Sequence, residues 1–402
     1  MRAKLFTFLV SIWLFGIIFP PTVDSENMAL AQFGAFVWLP IVALLGSRSQ
    51  LLGSLLRERP AILVLVVASI LAIVASAVLS EEPSRSLAFA ATAAIGLFAL
   101  VGLWDVVGDR IQFCLATYAV LGTALICYAY YVGARVQGRL TIGAAHPNYL
   151  GIVSFGILMC AVTVRPWPLA AVLTLTNLFI IVDTQSRSAL AAALGGLLLF
   201  AALKTNQIGR RKAALALAAT SLICAMVLLV YQQAALDGIS ALFFLDDKNR
   251  GIGTGFTGRV GAWQEAIDLF SENPIFGVGF RMHERYMTIL SSAHNGYVSL
   301  LAEVGIVGAV PLVALVLLLT LRLARRALQG DPMAIVGFSF VMGYLLIAAF
   351  ERLFLNMGNP TSVVAWMFLL IANPKPHHRL LHPRRLTDVG WDHVPAVQQG
   401  LP

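Results

Sequence analysis

Ser291-Ser292-Ala293-His294-Asn295-Gly296-Tyr297 sets a His-Asn pair among small residues at the mouth of an apolar run. An imidazole titrates near pH 6.5, so His294 can accept a proton at neutral pH. Its small neighbours leave room for a ligand; the plainer reading is a histidine that merely caps a helix. Upstream, Thr257-Gly258-Arg259 precedes Trp263, and Asn273-Pro274-Ile275-Phe276-Gly277-Val278-Gly279 follows. Arg259 stands where a helix begins, and a guanidinium beside a helix N-terminus is a natural anion site. Arg187, between Ser186 and Ser188 at the edge of another apolar run, either snorkels to a membrane surface or holds an anion there. A proton acceptor near phosphate-binding arginines is equipment for chemistry on a lipid-linked, anionic substrate. Arg139, His146 and Asn148, together with Asn295, Trp263 and Arg352, form a second tier of residues for substrate contact.

These groups need a scaffold, and composition names its class. The 402 residues are 59% hydrophobic and 12% charged, with mean hydropathy +0.82. So few charges could not cover a soluble surface. Apolar runs long enough to cross a bilayer as helices recur along the chain. Twelve spans are expected: 5–20, 28–46, 61–80, 87–104, 111–132, 149–164, 169–182, 189–203, 213–231, 297–321, 333–350 and 361–372. The fold class is therefore all-α, a polytopic membrane protein. Residues 1–231 carry nine spans, 232–296 form a large loop with short amphipathic helices, 297–372 carry three spans, and 373–402 form a cytoplasmic tail. The run 5–20 follows Arg2 and Lys4 but lacks a small-x-small cleavage site, so it is kept as a span.

With the N-terminus in the cytoplasm, the inner segments hold 18 of the 28 Lys and Arg residues. Clusters such as Gly209-Arg210-Arg211-Lys212 then read as topology determinants, and the net charge of +8 suits anionic lipid rather than nucleic acid. On this topology the segment 135–148, the turn 183–188, the loop 232–295 and Glu351-Arg352 all face outward. From Gly258, the residues Val260, Trp263, Ala266, Ile267 and Phe270 recur at helical spacing, and Asn273-Pro274 ends the run. Such a helix either lies in the interface with Trp263 and Phe270 down or, on the plainer reading, uses its aromatic stripe for packing.

Cys114, Cys127, Cys160 and Cys224 fall inside apolar runs without CxxC spacing, which predicts small buried hydrophobes. No metal site is expected. Gly251-Ile252-Gly253-Thr254-Gly255 lacks the Gly-Lys-Ser/Thr ending of a P-loop and reads as a lid or linker. Asp246-Asp247 is the one acidic pair of the outer loop and lies far from His294 in sequence.

Taken in order, Ser-Arg-Ser before a late span, Thr-Gly-Arg-x-x-x-Trp, Asn-Pro-x-x-Gly-x-Gly, and Ala-His-Asn-x-Tyr with Glu-x-Gly nine to eleven residues after the His resemble the O-antigen ligase and polymerase superfamily of bacterial envelope glycosyltransferases. The motifs cover roughly residues 140–320. The resemblance implies transfer of a glycan from polyprenyl diphosphate to a sugar hydroxyl of lipid A–core, at the periplasmic face of the inner membrane, without metal or other cofactor. In the polymerase branch the acceptor is another carrier-linked repeat. His294 would deprotonate or orient the acceptor, while Arg187 and Arg259 would hold the diphosphate with forked, permanently charged donors. The expected partners are the lipid-linked donor, lipid A–core and membrane lipid. A rival of another class is a twelve-span transporter such as a flippase, which would place its ionisable groups near mid-membrane and show two similar halves. No repeat relates the first six spans to the last six.

Overall fold

The computed structural model describes residues 60–107, 110–136, 138–141, 145–206 and 259–371. The expected spans 5–20, 28–46 and 213–231, the tail from 373, Cys224, Asp246-Asp247, the Gly251–Gly255 run and Thr257-Gly258 lie outside the described residues.

Proline opens many of the helices, where its missing N–H is not needed. In chain order they are α1 (Pro60–Val78), α2 (Pro83–Val107), α3 (Ile111–Val132), α4 (Pro147–Ala161), α5 (Trp167–Asp183), α6 (Arg187–Asn206), α7 (Arg259–Glu272), α8 (Gly296–Leu328), α9 (Pro332–Ala348) and α10 (Pro360–Ile371). Side-chain caps start several of them. Asp331 Oδ1 accepts from Met333 N at 3.0 Å, and Asn359 Oδ1 accepts from Thr361 N at 2.9 Å. The remaining nine expected spans each coincide with one of these helices. Four are long and apolar enough to cross a membrane: α1, α3, α6 through Thr205, and α8. The shorter apolar helices are α4, α5, α9 and α10. Val64, Leu71, Phe113, Leu175, Leu198 and Val310 point outward and exposed, the surface that lipid would cover.

Among the described helices, α4 is one of the most enclosed. It is buried on nearly every side and packs on α3, α5 and α6. Its glycines allow backbones to approach. At Gly156 a Cβ would press on Thr361 Oγ1, and that hydroxyl donates to Ile152 O at 3.0 Å. The rings of Phe155, Phe340 and Phe368 form a chain across α4, α9 and α10, with centroids 5.4 and 5.1 Å apart. Helix α8 lies against α1 and α9.

Two features depart from an all-helical expectation. Between α3 and α4 the chain forms an antiparallel hairpin, β1 (Ala134–Val136) with β2 (Arg139–Thr141), pairing Arg135 with Leu140. Gly138, at φ +77°, closes its turn. Helix α8 is broken at Gly305, whose φ of +58° and ψ of −165° no regular helix contains. Residues 306–328 alone span about 34 Å at 1.5 Å per residue, so the turns before the break are free to serve another purpose. Among the cysteines, Cys114 and Cys160 are buried, but Cys127 is exposed on the flank of α3, contrary to expectation.

Candidate functional site

The broken helix explains two of the sequence motifs together. Asn273–Gly279 runs along the break: Ile306 N donates to Pro274 O at 2.9 Å, Val278 N to Ala302 O at 2.9 Å, and Gly279 N to Glu303 O at 3.0 Å. These bonds satisfy backbone groups that the interrupted helix would leave unpaired. A Cβ at Gly277 would collide with the Glu303 carbonyl, and one at Gly305 with the Ile275 carbonyl. The Asn-Pro-x-x-Gly-x-Gly and Glu-x-Gly elements are thus two halves of one lock.

Helix α7 docks beside it. Ala262 and Ala266 are buried, and Ala266, Leu269 and Phe270 pack against Met287, Ala293, Val298 and Ala302. Of the two readings of this helix, packing is the one seen: Leu269 and Phe270 lie against α8 and the loop before it, while Val260 and Ile267 remain exposed. Glu265 ties the helix to the following loop by accepting from Thr288 N at 2.7 Å and Thr288 Oγ at 2.6 Å. Asn295 opens α8 as its N-cap, its Oδ1 accepting from Tyr297 N at 3.0 Å and Val298 N at 3.2 Å, so capping is the first duty of this expected substrate contact.

At this end of the bundle four chain segments meet on one carboxylate, Glu351. Its Oε1 accepts from Asn148 Nδ2 at 2.8 Å and from Arg259 Nη2 at 3.4 Å, and its Oε2 lies 3.3 Å from His294 Nδ1. The Glu351 side chain is 13% exposed and that of His294 33%, so the pair faces a partly open surface. Arg139 extends the cluster: Nη2 donates to Asn148 Oδ1 at 2.6 Å and Nε to Thr184 O at 2.9 Å. That second bond draws in the turn before α6, whose first residue is the half-buried Arg187. Beside it the hydroxyl of Ser186 is buried without a hydrogen-bond partner. His146 caps α4 by accepting from Asn148 N at Nδ1, 3.2 Å away. Partial burial, and then the charge of Arg139, hold its pKa below the ordinary imidazole range, with Glu351 opposing.

Of the residues expected from sequence, His294, Arg259, Arg139, Asn148 and His146 are brought together here. Trp263 lies one turn along α7 from Arg259, half-buried on the same face. Arg352 is the exception. It turns away from its neighbour Glu351 to pair with Glu284 at 2.7 Å and with the buried Glu303. Glu351 itself was absent from the expected site. Its signal is plain in hindsight: between Asp331 and Lys375, Glu351 and Arg352 are the sole charged residues, and a lone ionisable pair in apolar sequence is a functional candidate. Among the described residues no three His, Cys, Asp or Glu side chains gather closely enough to hold a metal ion.

The carboxylate–imidazole contact has chemical content. A carboxylate on Nδ1 selects the tautomer whose Nε2 lone pair is free, and it stabilises the imidazolium formed when Nε2 takes a proton. Arg259 and Arg139 supply fixed positive charge close by.

Residues 169–313 match the O-Antigen ligase family. The matched segment contains Arg187, Arg259, Trp263, His294 and Glu303, and ends before Glu351. It agrees with the superfamily that the motif order resembles, and suggests an O-antigen ligase-like or polymerase-like membrane glycosyltransferase. No curated protein matches the chain.

Proposed function

We propose that this protein transfers a glycan from polyprenyl diphosphate to a sugar hydroxyl of lipid A–core, at the periplasmic face of the bacterial inner membrane. The observation that carries the reading is the contact of His294 Nδ1 with Glu351 Oε2, with Arg259 on the same carboxylate. His294 Nε2 takes the proton of the acceptor hydroxyl as its oxygen attacks the anomeric carbon. The bond from that carbon to the diphosphate oxygen breaks, and polyprenyl diphosphate leaves with the electron pair. Arg259 and Arg187 meet the negative charge that grows on the leaving group. The proton on His294 passes to solvent, which its partial exposure permits. The ionisable residues gathered at one end of the bundle support an enzyme over a carrier.

The test uses purified protein in nanodiscs with polyprenyl-diphosphate-linked glycan, lipid A–core and chelator, and no nucleotide. Wild type should give a larger lipopolysaccharide band that is lost in His294→Ala. Elongation of the carrier-linked glycan instead would assign a polymerase. Neither product, with glycan crossing a liposome membrane, would assign a transporter.

A further inference from the structure

Behind the His294–Glu351 pair lies a second charged cluster, more deeply buried. His283 is fully buried, and its Nδ1 lies 2.5 Å from Glu303 Oε1. Its Nε2 faces three donors: Ser292 Oγ and Ser299 Oγ at 3.3 Å each, and Ala293 N at 3.5 Å. This partner set fits one tautomer, with Nδ1–H donating to the carboxylate and Nε2 accepting. Glu303 is also held by Arg352 and, through its backbone carbonyl, by Ser76 Oγ at 2.7 Å and Gly279 N.

The two clusters touch through the backbone at two points. Ser292, bonded to His283, accepts from His294 N at 3.4 Å. Arg352, bonded to Glu303, is the residue after Glu351. His294 sits at φ +48°, a left-handed conformation that is strained for a non-glycine residue and persists only where the surroundings impose it. Ser292 and Ala293, gripped by His283, and Asn295, gripped by α8, are those surroundings.

We infer that His283 and Glu303, linked through Ser292 and Arg352, are positioning residues that clamp His294 and Glu351 at catalytic separation. The clamp rests on the reading of His294 as the base. His283 and Glu303 are both buried, which keeps them from direct contact with a substrate at the open face. A histidine and a glutamate at the centre of the motif region therefore act through their neighbours, and the Glu-x-Gly element has a second duty besides the backbone lock.

Ser292→Ala is the gentlest break, removing one hydroxyl and leaving the buried charges paired. In the nanodisc transfer assay it should lower kcat about ten-fold, with KM for donor and acceptor and the melting temperature unchanged, and Ser292→Thr should restore the rate. His283→Ala should lower kcat about a hundred-fold, the scale of a misplacement of about 1 Å at a reacting group. Should His283→Ala fail to fold, the Ser292 pair decides alone. Full kcat in Ser292→Ala, or a loss that follows melting temperature and is not restored by Thr, overturns the clamp while His294→Ala remains inactive. A His294→Ala variant that still transfers glycan overturns the reading of the base and the clamp with it.

Discussion

Glu351→Gln isolates the central carboxylate with almost no change of shape. The amide oxygen can still accept from Asn148, but the other position becomes an NH2 facing His294 Nδ1, two donors 3.3 Å apart. The charge that would stabilise an imidazolium disappears. At 3.3 Å, with an effective dielectric of about 20, the lost attraction is about 5 kcal/mol gross. Solvent at the one-third-exposed imidazole reduces this to about half, which leaves about a hundred-fold in rate. Single-turnover transfer in nanodiscs at saturating donor and acceptor, followed by gel shift of the lipopolysaccharide, measures it directly. KM for the donor should not rise, because Arg259 keeps its charge and loses the carboxylate that competes for it, and Glu351→Asp should fall between wild type and Gln in rate. Transfer by Glu351→Gln at the wild-type rate, beside an inactive His294→Ala, would refute the claim that the carboxylate organises the base.

Arg259→Ala and Arg187→Ala should each reduce transfer at least a hundred-fold, and Lys at either position should recover little because a point charge replaces a fork; quantitative recovery by Lys in the same assay would remove the forked contact from the mechanism. Gly305→Ala should lower thermal stability by about 2 kcal/mol or more, since φ +58° is strained for alanine and its Cβ would meet the Ile275 carbonyl; a melting temperature equal to wild type would contradict the lock between the loop and α8. His146→Asn tests the depressed imidazole. A histidine whose folded pKa lies below its unfolded value of about 6.5 contributes fully above that value, and the contribution is lost as pH falls through the lower one. Asparagine keeps the cap without titrating, so wild type should lose melting temperature relative to His146→Asn below about pH 6, and parallel curves would count against the shift. Direct attack by the acceptor inverts the anomeric carbon, so NMR of the product linkage should show the configuration opposite to the donor, and retention would point to a covalent intermediate.

The helices were legible because lipid makes a simple demand. A run of apolar residues of sufficient length reads the same in sequence and in space, so α1 to α6 and α8 to α10 lie where the hydropathy puts them. The chemistry-bearing residue types were legible too, since an arginine or histidine beside small polar neighbours stands out in an apolar chain. What could not be read was which of them meet. Glu351 is 57, 92 and 203 residues from His294, Arg259 and Asn148. No local periodicity encodes contacts of that range. The amphipathic pattern of α7 was legible as a pattern but not as a destination, because Ala262, Leu269 and Phe270 suit a protein groove as well as a lipid surface. The break in α8 was hidden for the opposite reason: hydropathy runs unchanged through Gly305, and only the backbone partners from Pro274 and Ile275 reveal the interruption.

The sharing of Glu351 bears on the order of events in the proposed reaction. Its contact with Arg259 is long, at 3.4 Å, and Arg259 is 20% exposed, so a diphosphate with more charge and several oxygens would compete well for that guanidinium. As Arg259 turns to the donor, the carboxylate loses a cation and faces His294 with its charge less compensated, which strengthens its hold on a developing imidazolium. Donor binding would then leave the carboxylate to His294 at the moment a leaving group is in place. The same argument gives Arg352 its reason for facing Glu303: a second arginine on Glu351 would keep the carboxylate neutralised after the donor had drawn the first away.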